Sequence, residues 1–316
     1  MAWFRLIRWK NLLIIFFTQL LAWVCVLLPM RQYTRMPMLL NGVNFILLAV
    51  ATVFIAAAGY IINDYFDIKI DIINKPDKVI LEKIIPRKMA IISHTVLNVA
   101  ALFFAFIVAR RAHHYEWLLL QLCCTVLLWF YSTHFKRQFM SGNVVVALLT
   151  ALTIAALMLY EPAIHYYAVQ SYFINTSEGL LANPVWVLGI YAYFAFMLTW
   201  MREIAKDMED FKGDAEEGCI TMPIKWGLLR SVRFCQLLGL LVIAPLLIAG
   251  VKLCIAAWWP LGIYTIVALA LPVTAWILFL PLRATKQHYH SASGYIKIIM
   301  LLGVFSLIVY YLQVHA

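Results

Sequence analysis

Nine runs of mostly apolar residues, separated by short polar stretches, fill this chain from residue 12 to residue 313. Crossing a bilayer as a helix takes roughly 20 such residues. The runs fall at about 12–30, 43–63, 89–109, 116–133, 143–160, 184–201, 233–251, 254–281 and 296–313. None shows the period-2 alternation of a barrel strand, so the pattern predicts helices, whose backbone amides are satisfied within the segment. No polar interval is long enough for a separate soluble fold, which predicts one integral membrane domain over residues 1–316. The first run follows basic residues but is long for a signal-peptide core and lacks a small-x-small cleavage site; it is expected to be an uncleaved first helix.

Composition agrees: 65% of residues are hydrophobic and 13% charged, against roughly 45–50% and about 25% in soluble domains. Charge adds a direction. Taking the nine runs as spans, twenty of the twenty-five lysines and arginines fall on one side of the membrane, and only Arg31, Arg35, Arg110, Arg111 and Lys252 on the other. Basic loops stay cytoplasmic, so a multi-pass protein of the cell inner membrane is expected, with its N-terminus in the cytoplasm. The net charge of +10 is then a topology and anionic-lipid signal and gives no argument for nucleic acid. The six cysteines have no CxxC spacing and read as packing residues. His113 and His114 read as outer-surface residues, and the Asn175-Thr-Ser sequon as a short match that matters only in a secretory pathway.

The acids are concentrated. Five lie between Asp64 and Glu82, seven between Glu203 and Glu217, and every aspartate belongs to one of these two groups. Asp64, Asp67 and Asp71 stand at i, i+3 and i+7; Asp207, Asp210 and Asp214 repeat that spacing 143 residues on. Each set is expected on one helical face, at the cytoplasmic ends of spans two and six, in hydrophilic loops. Four spans separate the copies, which predicts two parallel four-helix halves and a ninth helix. Like charges so placed repel, so a cation is expected between them. Carboxylates with a flanking amide are hard oxygen donors suited to Mg2+, which commonly shares its shell with substrate phosphates. Simple solvation with pairing to Lys69, Lys75, Lys206 and Lys212 is the plainer account, and the matched spacing weighs against it.

NDYFDIKID at 63–71 resembles the NDxxDxxxD motif of the UbiA-type intramembrane prenyltransferases, and DMEDFKGD at 207–214 resembles their second motif in its DxxDxxxD form. RWKN at 8–11, NKPDK at 74–78, YSTHFKR at 131–137 and REIAKD at 202–207 extend the likeness over most of the chain. Lys78 and Val79 stand where the family usually has Arg and Pro. The resemblance implies an all-α bundle of nine transmembrane helices with a central cavity. Its chemistry would be Mg2+-dependent transfer of a prenyl chain from a polyprenyl diphosphate to a lipid-soluble or membrane-surface acceptor. By analogy Asn63, Asp64, Asp67, Asp71, Asp207, Asp210 and Asp214 hold the metal, and Lys136, Arg137, Arg202 and Lys206 meet diphosphate oxygens. Asn11 touches diphosphate or acceptor, and Tyr60, Tyr65 and Tyr131 stand near the motifs as ligands or as shelter for an allylic cation.

REIAKDMEDFKGD is similar to the branch that includes geranylgeranylglyceryl-phosphate geranylgeranyltransferases and chlorophyll synthases. That implies a glycerol-phosphate ether acceptor first and an aromatic quinone precursor second. Among rivals, the CDP-alcohol phosphatidyltransferases use one continuous motif with glycines and an Ala-Arg pair that neither cluster has. A cation- or proton-coupled transporter places its acids in mid-membrane on broken helices, and a scaffold gives no reason for repeated spacing.

Overall fold

The computed structural model describes residues 1–30, 38–164, 183–280 and 285–315. The sequon at Asn175 and the basic residues Arg31, Arg35 and Arg283 lie outside them. Among the described residues there are nine helices long and apolar enough to span a membrane and no strand longer than an isolated bridge: α1 Trp9–Leu27, α2 Gly42–Asn74, α3 Arg87–Ala112, α4 Glu116–Thr133, α5 Ser141–Leu159, α6 Pro184–Glu209, α7 Leu228–Ile255, α8 Trp259–Phe279 and α9 Lys286–Val314. Each expected run is there. Several are longer than the apolar pattern, because amphipathic residues carry the helix on where an adjoining element packs against it.

The lengthening matters most in α2. Its 33 residues make a rod about 50 Å long, against a hydrocarbon core of roughly 30 Å. The final turns keep Ile61, Ile68 and Ile70 buried, Ile61 and Ile68 against Leu6, Leu81, Ile85 and Ala90. Asn41 caps the start, accepting from the Asn44 amide at 3.0 Å. The helix stops where Lys75 leaves helical geometry ahead of Pro76, a residue that disfavours α conformation in its predecessor. Helix α6 begins with the same device, Asn183 accepting from the Val185 amide at 3.0 Å with Pro184 in the first turn.

The halves match in a second detail. Arg8 and Met140, both with positive φ (52° and 60°), immediately precede α1 and α5. An asparagine follows three residues later in each, Asn11 and Asn143. One buried cluster joins α1, α2, α5, α6 and α9, and another joins α6 to α9. Much of the remaining helix surface is apolar and exposed, for example Val96, Val99, Phe103, Ile248 and Ile255, as lipid contact requires. Across the bundle interior, Gln19 of α1 donates to Thr52 Oγ1 (3.3 Å) and the Thr153 carbonyl (2.9 Å). At the opposite end from the aspartates, fully buried Glu161 accepts from the Leu40 amide at 2.9 Å. The six cysteines are free thiols.

Candidate active site

The polar side chains gather where α1, α5 and α9 begin and α2, α4 and α6 end. Helical rise sorts them by depth. Asp64 and Asn74 are about 15 Å apart along α2, and Lys286 and Lys297 a similar distance along α9. Since Lys286 Nζ donates to the Asn74 carbonyl (2.6 Å) and Lys297 Nζ to Asn11 Oδ1 (2.5 Å), the cluster has an outer and an inner tier.

In the outer tier Lys75 Nζ lies 2.8 Å from Asp210 Oδ1 and 3.4 Å from Glu209 Oε1, which also meets His290 Nδ1 at 3.0 Å. Burial pulls the Lys75 ammonium downward, but Asp210, Glu209 and Asp71 outweigh it and hold it above its ordinary value. Asn74 bridges the halves: its Nδ2 donates to the Asp210 carbonyl (3.1 Å) and its Oδ1 accepts from the Gly213 amide (3.0 Å). A Cβ on Gly213 would come within 2.5 Å of Asn74 Nδ2, so glycine is what lets the two chains close.

Between the tiers sits Lys136, whose ammonium contacts Asp67. Asn63 Nδ2 donates to the same carboxylate at 2.7 Å, and Asn143 Nδ2 to Asp207 Oδ2 at 2.8 Å. Gly142, at the start of α5, lets the loop around Lys136 approach, since a Cβ there would meet Lys136 Cα at 2.8 Å. Asp71 and Asp214 have no hydrogen-bond or ion-pair partner among the described side chains, and Lys136 is among the charges acting on both. Burial pushes Lys136 downward; Asp67, Tyr131 and Asp71 more than reverse it. Burial, then Asp210 and Asp67, push the Asp214 carboxyl up to about 7, against Lys136 and Lys75.

In the inner tier Arg8 Nη2 meets Asp64 Oδ1 at 2.6 Å with its guanidinium over the Tyr60 ring. Arg202 Nη1 and Lys206 Nζ both reach Glu203, at 3.0 and 2.6 Å.

Two expectations are corrected. The first motif is not in a loop: Asp64, Asp67 and Asp71 all lie within α2. The second set does not share one helical face, because α6 ends at Glu209, Asp210 caps it, and Asp214 belongs to a separate short helix, Phe211–Glu216. Arg202 and Lys206 turn to Glu203 and Asn11 to Lys297. Arg137 is exposed, its carbonyl accepting from the Ile220 amide at 2.8 Å. Lys69 is exposed, and Lys212 pairs with Glu216. Tyr65 lies under Arg87, Tyr60 under Arg8, and Tyr131 stands among Lys136, Glu203, Asp67 and Asp207. Sequence reasoning missed Arg8, Asn74, Asn143, Glu203 and Lys297 as site members. RWKN and NKPDK flagged two of them without a role, and the matched asparagines opening α1 and α5 were a usable signal for Asn143.

Can these residues hold a divalent cation? As they stand, no three acidic, histidine or cysteine side chains among the described residues are close enough to share one. The donor set still fits Mg2+: hard oxygens from both halves, those of Asp67, Asp71 and Asp214, all feel one cation, the Lys136 ammonium. Opposed repeats that bring carboxylates and movable cations together can bind and activate a diphosphate.

Residues 22–302 match the UbiA prenyltransferase family. Among curated relatives, digeranylgeranylglyceryl phosphate synthase of Methanosphaera stadtmanae is 30% identical over 83% of this chain and 86% of its own. The enzyme of that name from Methanothermobacter thermautotrophicus is 30% identical over 76% and 72%. Of solved structures, one described as giving structural and mechanistic insight into digeranylgeranylglyceryl phosphate synthase in membranes superposes with a TM-score of 0.62 at 21% identity, over 99% and 98% of the two chains. A UbiA homologue from Archaeoglobus fulgidus bound to DMAPP and Mg2+ gives 0.55 at 14% identity, over 96% and 99%.

Proposed function

Because the chain belongs to the UbiA prenyltransferase family, and so is a multi-pass membrane prenyltransferase, we propose that it joins a geranylgeranyl group, supplied as its diphosphate, to a hydroxyl of geranylgeranylglyceryl phosphate. The observation that carries the reading is Lys136, one cation acting on carboxylates of both repeats, Asp67, Asp71 and Asp214. The acceptor rests on the names of the archaeal relatives. Asn63, Asp64, Asp67 and Asp71 from α2 and Asp207, Asp210 and Asp214 from the second motif are the residues that would hold Mg2+. The chemistry a bound Mg2+ would supply is to offset the negative charge that grows on diphosphate as the allylic C–O bond breaks. Lys136 turns from Asp67 to a diphosphate oxygen as the donor arrives, exchanging one charge-assisted contact for another. The acceptor oxygen forms the new ether bond; diphosphate and one proton are released. The acidic end and the N-terminus face the cytoplasm of the cell inner membrane, a reading supported by the basic residues gathered there.

The test is to incubate purified protein with labelled geranylgeranyl diphosphate, Mg2+ and either geranylgeranylglyceryl phosphate or a hydroxybenzoate. A diether product that disappears with EDTA, and falls by about 100-fold or more in Asp67→Ala and Asp210→Ala, is expected. Product from the aromatic acceptor alone would overturn the acceptor, and turnover indifferent to both substitutions would overturn the site.

A further inference from the structure

We infer that the inner tier contains a separate subsite for a phosphate monoester, built by Lys10 and Asn11 of α1, Arg202 of α6 and Lys297 of α9, and that it takes the phosphate of the acceptor. This rests on the acceptor proposed above.

Charge makes the first argument. Arg8 is committed to Asp64. Of the cations that remain, Arg202 and Lys206 share one carboxylate, Glu203. Lys297 has only a neutral partner, Asn11 Oδ1 at 2.5 Å, and the charges acting on it are those of Arg202 and Lys10, both positive. Arg202 and Lys206 thus share one carboxylate, and Lys297, about 16 Å along α9 from its start, has none. Positive charge left without a carboxylate in a membrane protein is costly and marks a function rather than decoration.

Hydrogen bonding makes the second. Arg202 spends Nη1 on Glu203, while its Nε is buried without a partner among the described residues, so part of a planar fork suited to phosphate stands ready. The site adjoins the diphosphate site, since Glu203 and Lys206 act on Asp207. The strongest charge effects on Asp71 and Asp214 come from their neighbouring acids, Lys136 and Lys75, and Arg202 and Lys297 are not among them.

Symmetry makes the third. The aspartates repeat between the halves, but Lys297 belongs to the ninth helix, which has no counterpart. The ninth helix gives Lys286 and His290 to the outer tier and Lys297 to the inner one, a cation with no equivalent in the repeated motifs.

The experiment measures acceptor and donor KM in nanodiscs for Lys297→Gln and Arg202→Gln, using geranylgeranylglyceryl phosphate and its dephosphorylated alcohol. Loss of a charge-assisted contact should raise KM for the phosphorylated acceptor about 10- to 100-fold, with donor KM within about twofold of wild type. Preference for phosphate over alcohol should shrink by the same factor, and Lys297→Arg should restore much of it. A thermal shift on adding Mg2+ and geranylgeranyl thiodiphosphate shows that each variant is folded and binds donor. Unchanged acceptor KM in folded variants would overturn the subsite alone; wild-type protein indifferent to the acceptor phosphate would overturn the acceptor itself. Equal increases in donor KM would assign these cations to the diphosphate. A dependence on phosphatidylglycerol content that vanishes in the variants, with acceptor KM unchanged, would make them a lipid-headgroup site, and either result refutes the inference.

Discussion

Lys136 and Asp67 are placed so that each makes the other tolerable. A buried carboxylate left alone is costly, and removing one member of a buried pair leaves the other uncompensated. Lys136→Gln is therefore expected to lower turnover by about 100-fold and also to raise the donor KM, measurable in one steady-state series. Asp214 carries a pH prediction. Its carboxyl is pushed up to about 7, so at pH 6 it is mostly protonated, and Mg2+ must displace that proton. Metal affinity should weaken by about tenfold between pH 8 and pH 6. Calorimetry at pH 7 in two buffers of different ionisation enthalpy should show proton release on binding, and Asp214→Asn should remove it. The aspartates themselves were legible because their spacing repeats. Their partners were not: Arg8 reaches Asp64 across 56 positions of chain, and Lys297 reaches Asn11 across 286, distances that no local pattern encodes.

At the scale of elements, the decisive join is between the end of α2 and the elbow after α6. Ending α6 at Glu209 frees backbone groups that a continuous helix would satisfy; Asn74 takes the Gly213 amide and adds a second donor to the Asp210 carbonyl, which also accepts from the Asp214 amide at 3.1 Å. Gly213→Ala should push Asn74 aside and shift Asp210 and Asp214 relative to α2. The Mg2+ concentration for half-maximal activity should rise several-fold, and adding Asn74→Ala should cost little more, since both act on one contact. An additive double variant would contradict the coupling. Apolar runs show where the spans are, because lipid imposes one composition on all of them. They do not show that α2 continues to Asn74, which rests on packing against Leu6, Leu81, Ile85 and Ala90, or that the second motif breaks, where Asn74 reaches Asp210 and Gly213 from 136 and 139 positions away.

Across the whole molecule, two halves that begin alike, with Asn-capped α2 and α6 and left-handed residues ahead of α1 and α5, close on each other at one end, and α9 stitches that end together through Lys286, His290 and Lys297. Truncation before Lys286 should therefore abolish turnover even though both aspartate motifs remain, as an assay of the shortened protein in nanodiscs would register. The ion pairs at this end have a consequence for how the protein is made. Arg8, Lys75 and Lys136 already neutralise Asp64, Asp210 and Asp67, so a newly inserted chain can assemble its acidic face inside the bilayer before it meets any metal. Unlike small domains that unfold when stripped of zinc, this protein should lose turnover but keep its melting temperature within a few degrees in excess EDTA. Its biogenesis would then be independent of the cell's magnesium supply, which governs only how fast the finished enzyme works.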